Sequence, residues 1–126
     1  MFEEWFKTIE VEIGAVQDML QMPLDDNPRT IYEQMTLAES NIGRFTSLHA
    51  EACYWLEIAE SEFLPSKGAG SELDRKTSQK ASTASHRRVR NILAGLIESL
   101  RMRCFVGMNI TKGNNAERAT MGKFNP

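Results

Sequence analysis

Residues 86–105 read HRRVRNILAGLIESLRMRCF, and they combine five arginines with a row of aliphatic residues in twenty positions. At 100° per residue, the apolar side chains of this stretch fall within about 60° of Leu93 on an α-helix. They are Val89, Leu93, Leu96, Ile97, Leu100 and Cys104. The stretch therefore predicts an amphipathic helix whose apolar stripe belongs to a core.

The arginines gather on one flank of this helix. Arg87, Arg90 and Arg101 lie about 60° to 120° from Leu93, and Lys76 and Lys80 join them if the helix continues back through residues 77–85. Such a row neutralises backbone phosphates without reading sequence, which predicts non-specific binding of single-stranded DNA. The candidate DNA contacts are Lys76, Lys80, Arg87, Arg90 and Arg101, with Arg88 and Arg103 as secondary contacts. Phe105 or Phe124 could stack on a base.

Three helices are expected, at about residues 2–21, 28–64 and 72–110. The first has apolar residues at 4-3-4-3-4 spacing from Phe2 to Leu20, and Asn27-Pro28 is a typical start for the second. Pro65, Gly68 and Gly70 predict a reversal before the third helix, in which five Ser/Thr between residues 76 and 85 lower helix propensity. Residues 111–126 lack apolar periodicity and contain helix breakers, so a flexible tail is expected there.

The pattern favours an all-α protein: one domain over residues 1–110, built as an elongated helical hairpin or bundle with coiled-coil-like packing. Met35, Tyr54, Trp55, Phe105 and Met108 fall at the edges of the apolar stripes or outside them. Apolar surface of this kind favours burial against other copies of the chain, so a homo-oligomer is expected. A self-contained three-helix bundle is the alternative, because short connections also favour antiparallel neighbours.

Charge is divided between the two halves of the chain. Residues 1–63 hold 13 Asp/Glu and 3 Lys/Arg, whereas residues 64–126 hold 4 and 12, although the net charge is only −2. This asymmetry indicates either mutual neutralisation or a partner for the basic half. In the first case, Glu39, Glu51, Glu57 and Glu60 of the second helix would pair with the arginines of the third.

The sequence offers little for catalysis. It contains no HExxH, GxSxG or phosphate-binding loop, so an enzyme, a cofactor and a resident metal are not expected. His49 and Cys53 lie four residues apart on one helical face, but two ligands do not make a metal site. No stretch is apolar for 18 residues, the N-terminus is acidic, and there are two cysteines, which together favour a cytoplasmic protein without a membrane anchor.

The order of YWLEIAESEF (residues 54–63), a glycine turn, SELDRKTSQK (71–80) and LIESLRMRCFVGMNI (96–110) resembles the phage recombination-mediator family, the UvsY-type proteins. The resemblance covers about residues 30–112. It implies a helical oligomer that loads a recombinase onto single-stranded DNA. Members of that family carry a basic cluster near the end of the long helix, where this chain has EIAESE, so its DNA contacts are expected on the last helix.

The expected function is therefore that of a non-catalytic accessory protein that binds single-stranded DNA. Its expected partners are other copies of itself, single-stranded DNA, and a recombinase or a single-strand-binding protein docked on the acidic surface. The alternative is a structural or adaptor oligomer that contacts proteins and no nucleic acid. Salt-dependent oligonucleotide binding distinguishes the two, because binding to phosphates releases counterions.

Overall fold

The computed structural model describes residues 1–63 and 71–124, with side chains described as far as residue 117. Within these ranges the regular structure is entirely α-helical, which confirms the predicted fold class. Four helices are present: α1 (Phe2–Gln21), α2 (Pro28–Glu62), α3 (Glu72–Ser82) and α4 (Ala84–Phe124). The reversal predicted at Pro65, Gly68 and Gly70 lies outside the described residues.

The start of α2 follows from its local sequence. The Asn27 side chain accepts hydrogen bonds from the backbone N–H groups of Arg29 and Thr30, and Pro28 occupies the first helical position. Asparagine at this position satisfies N–H groups that have no partner within the helix, while proline lacks the N–H that would otherwise need one. The cap therefore fixes where the long helix begins.

Helices α2 and α4 form the antiparallel hairpin on which the fold is built. Met35, near the start of α2, contacts Gly107 and Thr111, whereas Glu60, near its end, lies beside Arg87. Helix α1 packs along this pair and approaches α4 more closely than α2. The buried apolar cluster joins all three helices through Ile9, Ile13, Val16, Ala38, Phe45, Leu48, Ala52, Val89, Leu93, Leu96, Ile97 and Leu100.

Polar contacts join α1 to α2 near its start and in its middle. Trp5 Nε1 donates to Glu51 Oε2 at 2.9 Å, and Arg44 donates through Nε and Nη2 to both carboxylate oxygens of Glu12 at 2.9 Å. The hydrogen bonds from Arg44 lower the pKa of Glu12. Both contacts are exposed and contribute little stability, but they place α1 on one side of α2.

The expectation of one helix over residues 72–110 is wrong, because the helix breaks at Thr83. Thr83 is almost completely buried, and its hydroxyl donates to Gln79 O at 2.8 Å. Arg87 donates to Lys80 O at 3.0 Å and to the Thr83 hydroxyl. Gln79 O also accepts from the Thr83 backbone N–H, whereas Arg87 supplies a side-chain donor to Lys80 O, a carbonyl of the last turn of α3. The described residues therefore form four helices where three were predicted.

The expectation of a flexible tail from residue 111 also differs from the structure, in which α4 continues to Phe124. Extending an existing helix costs far less than starting one, so the loss of apolar periodicity does not end it. Asn114 also donates to Asp26 O at 2.8 Å, and this contact ties residue 114 to the α1–α2 connection. The boundary predicted at residue 110 is therefore not the end of a helix.

Candidate nucleic-acid interface

The break at Thr83 divides the predicted row of basic residues between two helices. Lys76 and Lys80 lie on α3 and are exposed, and the Lys76 ammonium is 3.5 Å from the Glu72 carboxylate in a pair that is itself open to solvent. The row was drawn for one continuous helix, whereas the structure divides it between α3 and α4. Lys76 and Lys80 are therefore exposed cations of a separate helix.

Arg87 holds the junction between α3 and α4 together. Besides its hydrogen bonds to Lys80 O and the Thr83 hydroxyl, its Nη2 lies 4.0 Å from Glu60 Oε1. Three-quarters of its side chain is withdrawn from solvent. Arg87 is thus engaged with the protein and is poorly placed as a free phosphate contact.

The other arginines of the stretch have different surroundings. Arg88 is exposed and makes no ion pair with any described residue. Arg90 is half-buried and contacts Asn91 Oδ1 at 3.3 Å. Arg101 lies roughly 16 Å farther along α4, at about 1.5 Å per residue. It is exposed and paired with Glu98 at 3.0 Å.

Arg103, predicted as a secondary DNA contact, is buried with 9% of its surface exposed. Its Nη1 donates to Met22 O at 2.8 Å, where the chain leaves α1. The helical wheel gave no indication of this contact, because it joins residues 81 positions apart. Arg103 therefore fastens the end of α1 to α4 and does not present its charge on the surface.

The acidic side chains of α2 form few contact ion pairs with the basic side chains of α4. Among the described side chains, the pair of Arg87 and Glu60 is the only one that joins the two helices. Glu51 accepts instead from Trp5, and Glu39 and Glu57 are exposed. The alternative prediction was that four glutamates of α2 pair with arginines of α4. One of the four, Glu60, does so.

The exposed or half-exposed cations around the break form what we call the junction cluster: Arg75, Lys76, Lys80, Arg88 and Arg90. Arg75 was missed from the sequence, because one continuous helix would turn it toward the apolar stripe. In the structure α3 buries none of its residues, so Arg75 is exposed. Lys112 on α4 is a further exposed cation that sequence reasoning did not select.

Aromatic side chains gather beside the junction, at the first residues of α4. The His86 ring stacks on Phe2 with centroids 3.9 Å apart, and Phe2 also contacts Trp55. Together with Tyr54 they line a cavity of about 330 Å³. The cavity joins α1, α2 and α4, so no single stretch of sequence signals it. Tyr54 is 59% exposed, and Phe105, the predicted stacking residue, is 60% exposed farther along α4.

His86 is the most perturbed group of this cavity. Its Nδ1 is buried and has no hydrogen-bond partner among the described residues. Burial lowers the pKa of His86, and the carboxylate of Glu3 opposes that shift more weakly. Burial therefore favours the neutral form of the ring where it stacks on Phe2.

The described residues contain no group of three His, Cys, Asp or Glu side chains that could hold a metal ion. His49 Nδ1 and Cys53 Sγ are 3.9 Å apart, and burial raises the pKa of the Cys104 thiol.

Among the described residues, every helix is too short or too polar to cross a membrane.

Comparisons with protein-family models, with curated proteins and with solved structures find no match for this chain.

Proposed function

We propose that this protein is a non-catalytic accessory protein that binds single-stranded DNA and helps a recombinase or replication protein assemble on it. The observation that carries the proposal is the junction cluster, whose cations are not neutralised by contact with the acidic helix α2. Of its five members, Lys76 alone has an acidic contact among the described residues, and that contact is exposed. An exposed pair of this kind gives way readily to a phosphate.

Electrostatics favours phosphate at this end of the molecule. Binding of a polyanion to several exposed cations releases the counterions condensed on it, and this release drives sequence-independent affinity. The junction cluster brings cations from two helices to one end of the hairpin. Helix α2 contributes Glu57, Glu60 and Glu62 there, and of these only Glu60 forms a contact ion pair among the described residues, with Arg87. Apart from Lys76, which contacts Glu72, the cations of the junction cluster make no ion pair with a described residue.

The exposed ring of Tyr54 supports single-stranded over double-stranded DNA. It lies on the rim of the cavity that also includes His86, the residue directly before Arg87 and Arg88. Unpaired bases stack on aromatic side chains next to a cationic track, and each stacked base contributes about 1–3 kcal/mol. Tyr54 is better placed for this than Phe105, because it is closer to the junction cluster.

The mediator role and self-assembly extend the proposal. The resemblance of residues 30–112 to the phage recombination-mediator family supports both. Several large apolar side chains also remain exposed along the hairpin: Tyr32, Leu37, Met102, Phe105 and Met108. Such residues are typical of surfaces that pack against another chain.

A salt titration of oligonucleotide binding tests the DNA proposal. Fluorescence anisotropy of labelled oligothymidylate would be measured with the wild-type protein and with the Lys80→Glu, Arg88→Glu double variant. Each lost phosphate contact on a single strand reduces the slope of log K against log salt by about 0.7, so the double variant should lose about 1.4. Lys80 and Arg88 are exposed, and the Arg88 side chain makes no ion pair in the described structure, so the variant should fold.

Arg29→Glu is the matched control for charge reversal. Arg29 is exposed at the start of α2, far from the junction along the hairpin, and its contact with Glu33 at 3.7 Å is open to solvent. This variant should bind with a wild-type slope. Absence of binding by the wild-type protein at low salt, or equal losses in both variants, would contradict the proposal.

A structural or adaptor oligomer is the second candidate, and the exposed apolar side chains of α2 and α4 favour it. An adaptor would self-associate or bind a protein while showing no salt-dependent affinity for the oligonucleotide. The anisotropy titration therefore separates the two functions even if both proteins form oligomers.

A further inference from the structure

A groove of about 680 Å³ lies where α4 meets the end of α1 and the connection to α2. We call it the α1–α4 groove. Its volume is in the range of protein sites that hold a ligand. The walls are largely apolar and include Leu20, Met22, Leu24, Met102, Val106 and Ile110. Met22 and Met102 are each more than 60% exposed, so a substantial apolar surface faces solvent here.

One charged side chain lines this groove, and it is the buried Arg103. A guanidinium has five N–H donors, yet the described residues supply one acceptor, Met22 O. The Nε of Arg103 is buried and has no partner, and no described carboxylate lies within 4.0 Å of the group. Arg103 is thus a buried cation without a counter-ion.

Arg44 shows in the same molecule what such a group ordinarily binds. Its Nε and Nη2 donate side by side to the two oxygens of Glu12, although both residues are exposed. Arg103 uses Nη1 for Met22 O and its Nε is covered by the protein, whereas Nη2 makes no hydrogen bond with a described residue and is left for an acceptor. Buried charges are ordinarily paired, and a carboxylate matches Nη2 with a charge-assisted hydrogen bond.

We propose that the α1–α4 groove binds an apolar peptide segment of a protein partner, with a carboxylate of that segment paired to Arg103. The apolar walls match the body of such a segment, and the buried guanidinium matches its charge. A nucleic-acid backbone fits the groove poorly, because its phosphates would lie against Met102, Val106 and Ile110. The inference rests on this groove alone and does not depend on the junction cluster or on DNA binding.

Two tripeptide probes that differ only in charge test the proposal on the full-length protein. Acetyl-Leu-Leu-Leu with a free C-terminal carboxylate and the same peptide as its carboxamide would be titrated while ¹H–¹⁵N NMR spectra are recorded. The acid should shift the Arg103 Nε–H signal and the backbone amides around residues 20–24 and 99–110. The carboxamide should bind at least tenfold more weakly. Equal affinities, or shifts that leave the groove and Arg103 unmoved, would overturn the proposal.

Substitutions beside Arg103 keep the test independent of folding, since replacing Arg103 itself would also remove the hydrogen bond to Met22. Val106→Glu places a carboxylate on the groove wall and should abolish binding of the acid probe. Asn115→Glu changes an exposed residue of α4 that does not line the groove, and should leave binding of the acid probe intact. Wild-type affinity in the Val106→Glu variant would refute the assignment. Oligonucleotide binding should be equal in both variants, which separates this result from the DNA proposal.

Discussion

Neighbouring arginines of the last helix have unlike roles, and burial decides which role each takes. Arg88 is open to solvent, whereas Arg87, one residue earlier, is bound to the end of α3. Arg103 is buried and bonded to the end of α1. A guanidinium in the interior needs acceptors from the protein or a ligand, while one on the surface is free to meet phosphate. The same residue type therefore stabilises the fold at two positions and supplies surface charge at others.

The partly buried His86 ring makes stability depend on pH. Burial holds its pKa below the value of the unfolded chain, about 6.5. Between the two values the unfolded chain binds a proton that the folded protein does not. The stabilisation is therefore complete above about pH 6.5 and is lost as pH falls through the unfolded pKa toward the folded one.

Urea unfolding at pH 7.5 and pH 5.5 measures this loss. Wild-type protein should lose more unfolding free energy between these pH values than a His86→Phe variant, in which the ring that stacks on Phe2 remains but cannot titrate. An identical loss in the two proteins would show that His86 is not the group responsible.

Gly107 is required where α4 packs against Met35 of α2. A Cβ at this position would lie 2.7 Å from Met35 Cγ and 2.8 Å from Met35 Sδ. Alanine normally favours a helix over glycine by about 1 kcal/mol. Overpacking commonly costs about 1–3 kcal/mol, so Gly107→Ala should lower the free energy of unfolding by about 1 kcal/mol.

Gly95→Ala is the control, because nothing lies within 4 Å of a Cβ at that exposed position of α4. It should raise the free energy of unfolding by about 0.5–1 kcal/mol in urea titrations. Combining Gly107→Ala with Met35→Ala should relieve the clash, because the shorter side chain leaves room for the new Cβ. The two substitutions should therefore show a coupling energy of about 0.5–3 kcal/mol. Strict additivity of the two changes would exclude the predicted contact.

At the level of elements, the junction of α3 and α4 shows what local sequence can and cannot indicate. The periodic apolar residues of α1 and the Asn27-Pro28 cap of α2 are local signals, and both helices begin at the residues they indicate. The break at Thr83 depends on the burial of its side chain and on Arg87 reaching back across a turn. A helical wheel assumes an unbroken helix, so it could not separate α3 from α4. It also placed Arg75 on the core side, although that residue is exposed.

The free energy of unfolding should depend far more on the hydroxyl of Thr83 than on that of an equivalent threonine of α3. Thr83→Val leaves the shape nearly unchanged but removes the acceptor of the Arg87 guanidinium and the donor to Gln79 O. Loss of a charge-assisted bond in a buried setting should cost about 1.5–3 kcal/mol in urea unfolding.

Thr77→Val is the matched control for this substitution. The Thr77 hydroxyl also donates to the carbonyl four residues earlier, at 2.9 Å, but the side chain is exposed. Its replacement should change stability by no more than about 0.5 kcal/mol. Similar losses at the two positions would argue against a special role for the junction.

At the scale of the whole molecule, composition indicated a basic half but not which of its charges are accessible. Lys76, Lys80 and Arg88 are exposed as the sequence suggests, while Arg103 is withdrawn by a contact with Met22. The cavity of Phe2, Tyr54, Trp55 and His86 also joins distant parts of the chain. Such contacts are set by how three helices pack together, and this packing has no counterpart in local periodicity.

Self-association should depend on the exposed apolar side chains of α4. At micromolar concentration the wild-type protein should sediment above its chain mass of 14.3 kDa. The Phe105→Lys, Met108→Lys double variant should shift toward the monomer, because both side chains are exposed and would face a partner chain. Val11→Lys, on the solvent side of α1, is the control. A wild-type monomer at every concentration would exclude the oligomer.

The packing of α1 against α4 also bears on the order in which the chain can fold during synthesis. Ile9, Ile13 and Val16 are synthesised before α4, the helix against which α1 mainly packs. Contacts between residues so far apart in sequence form late, because the entropy cost of closing a long loop precedes the free energy gained from the contact. A nascent chain that still lacks α4 therefore leaves much of this apolar stripe uncovered, and such a surface is prone to aggregation until α4 emerges.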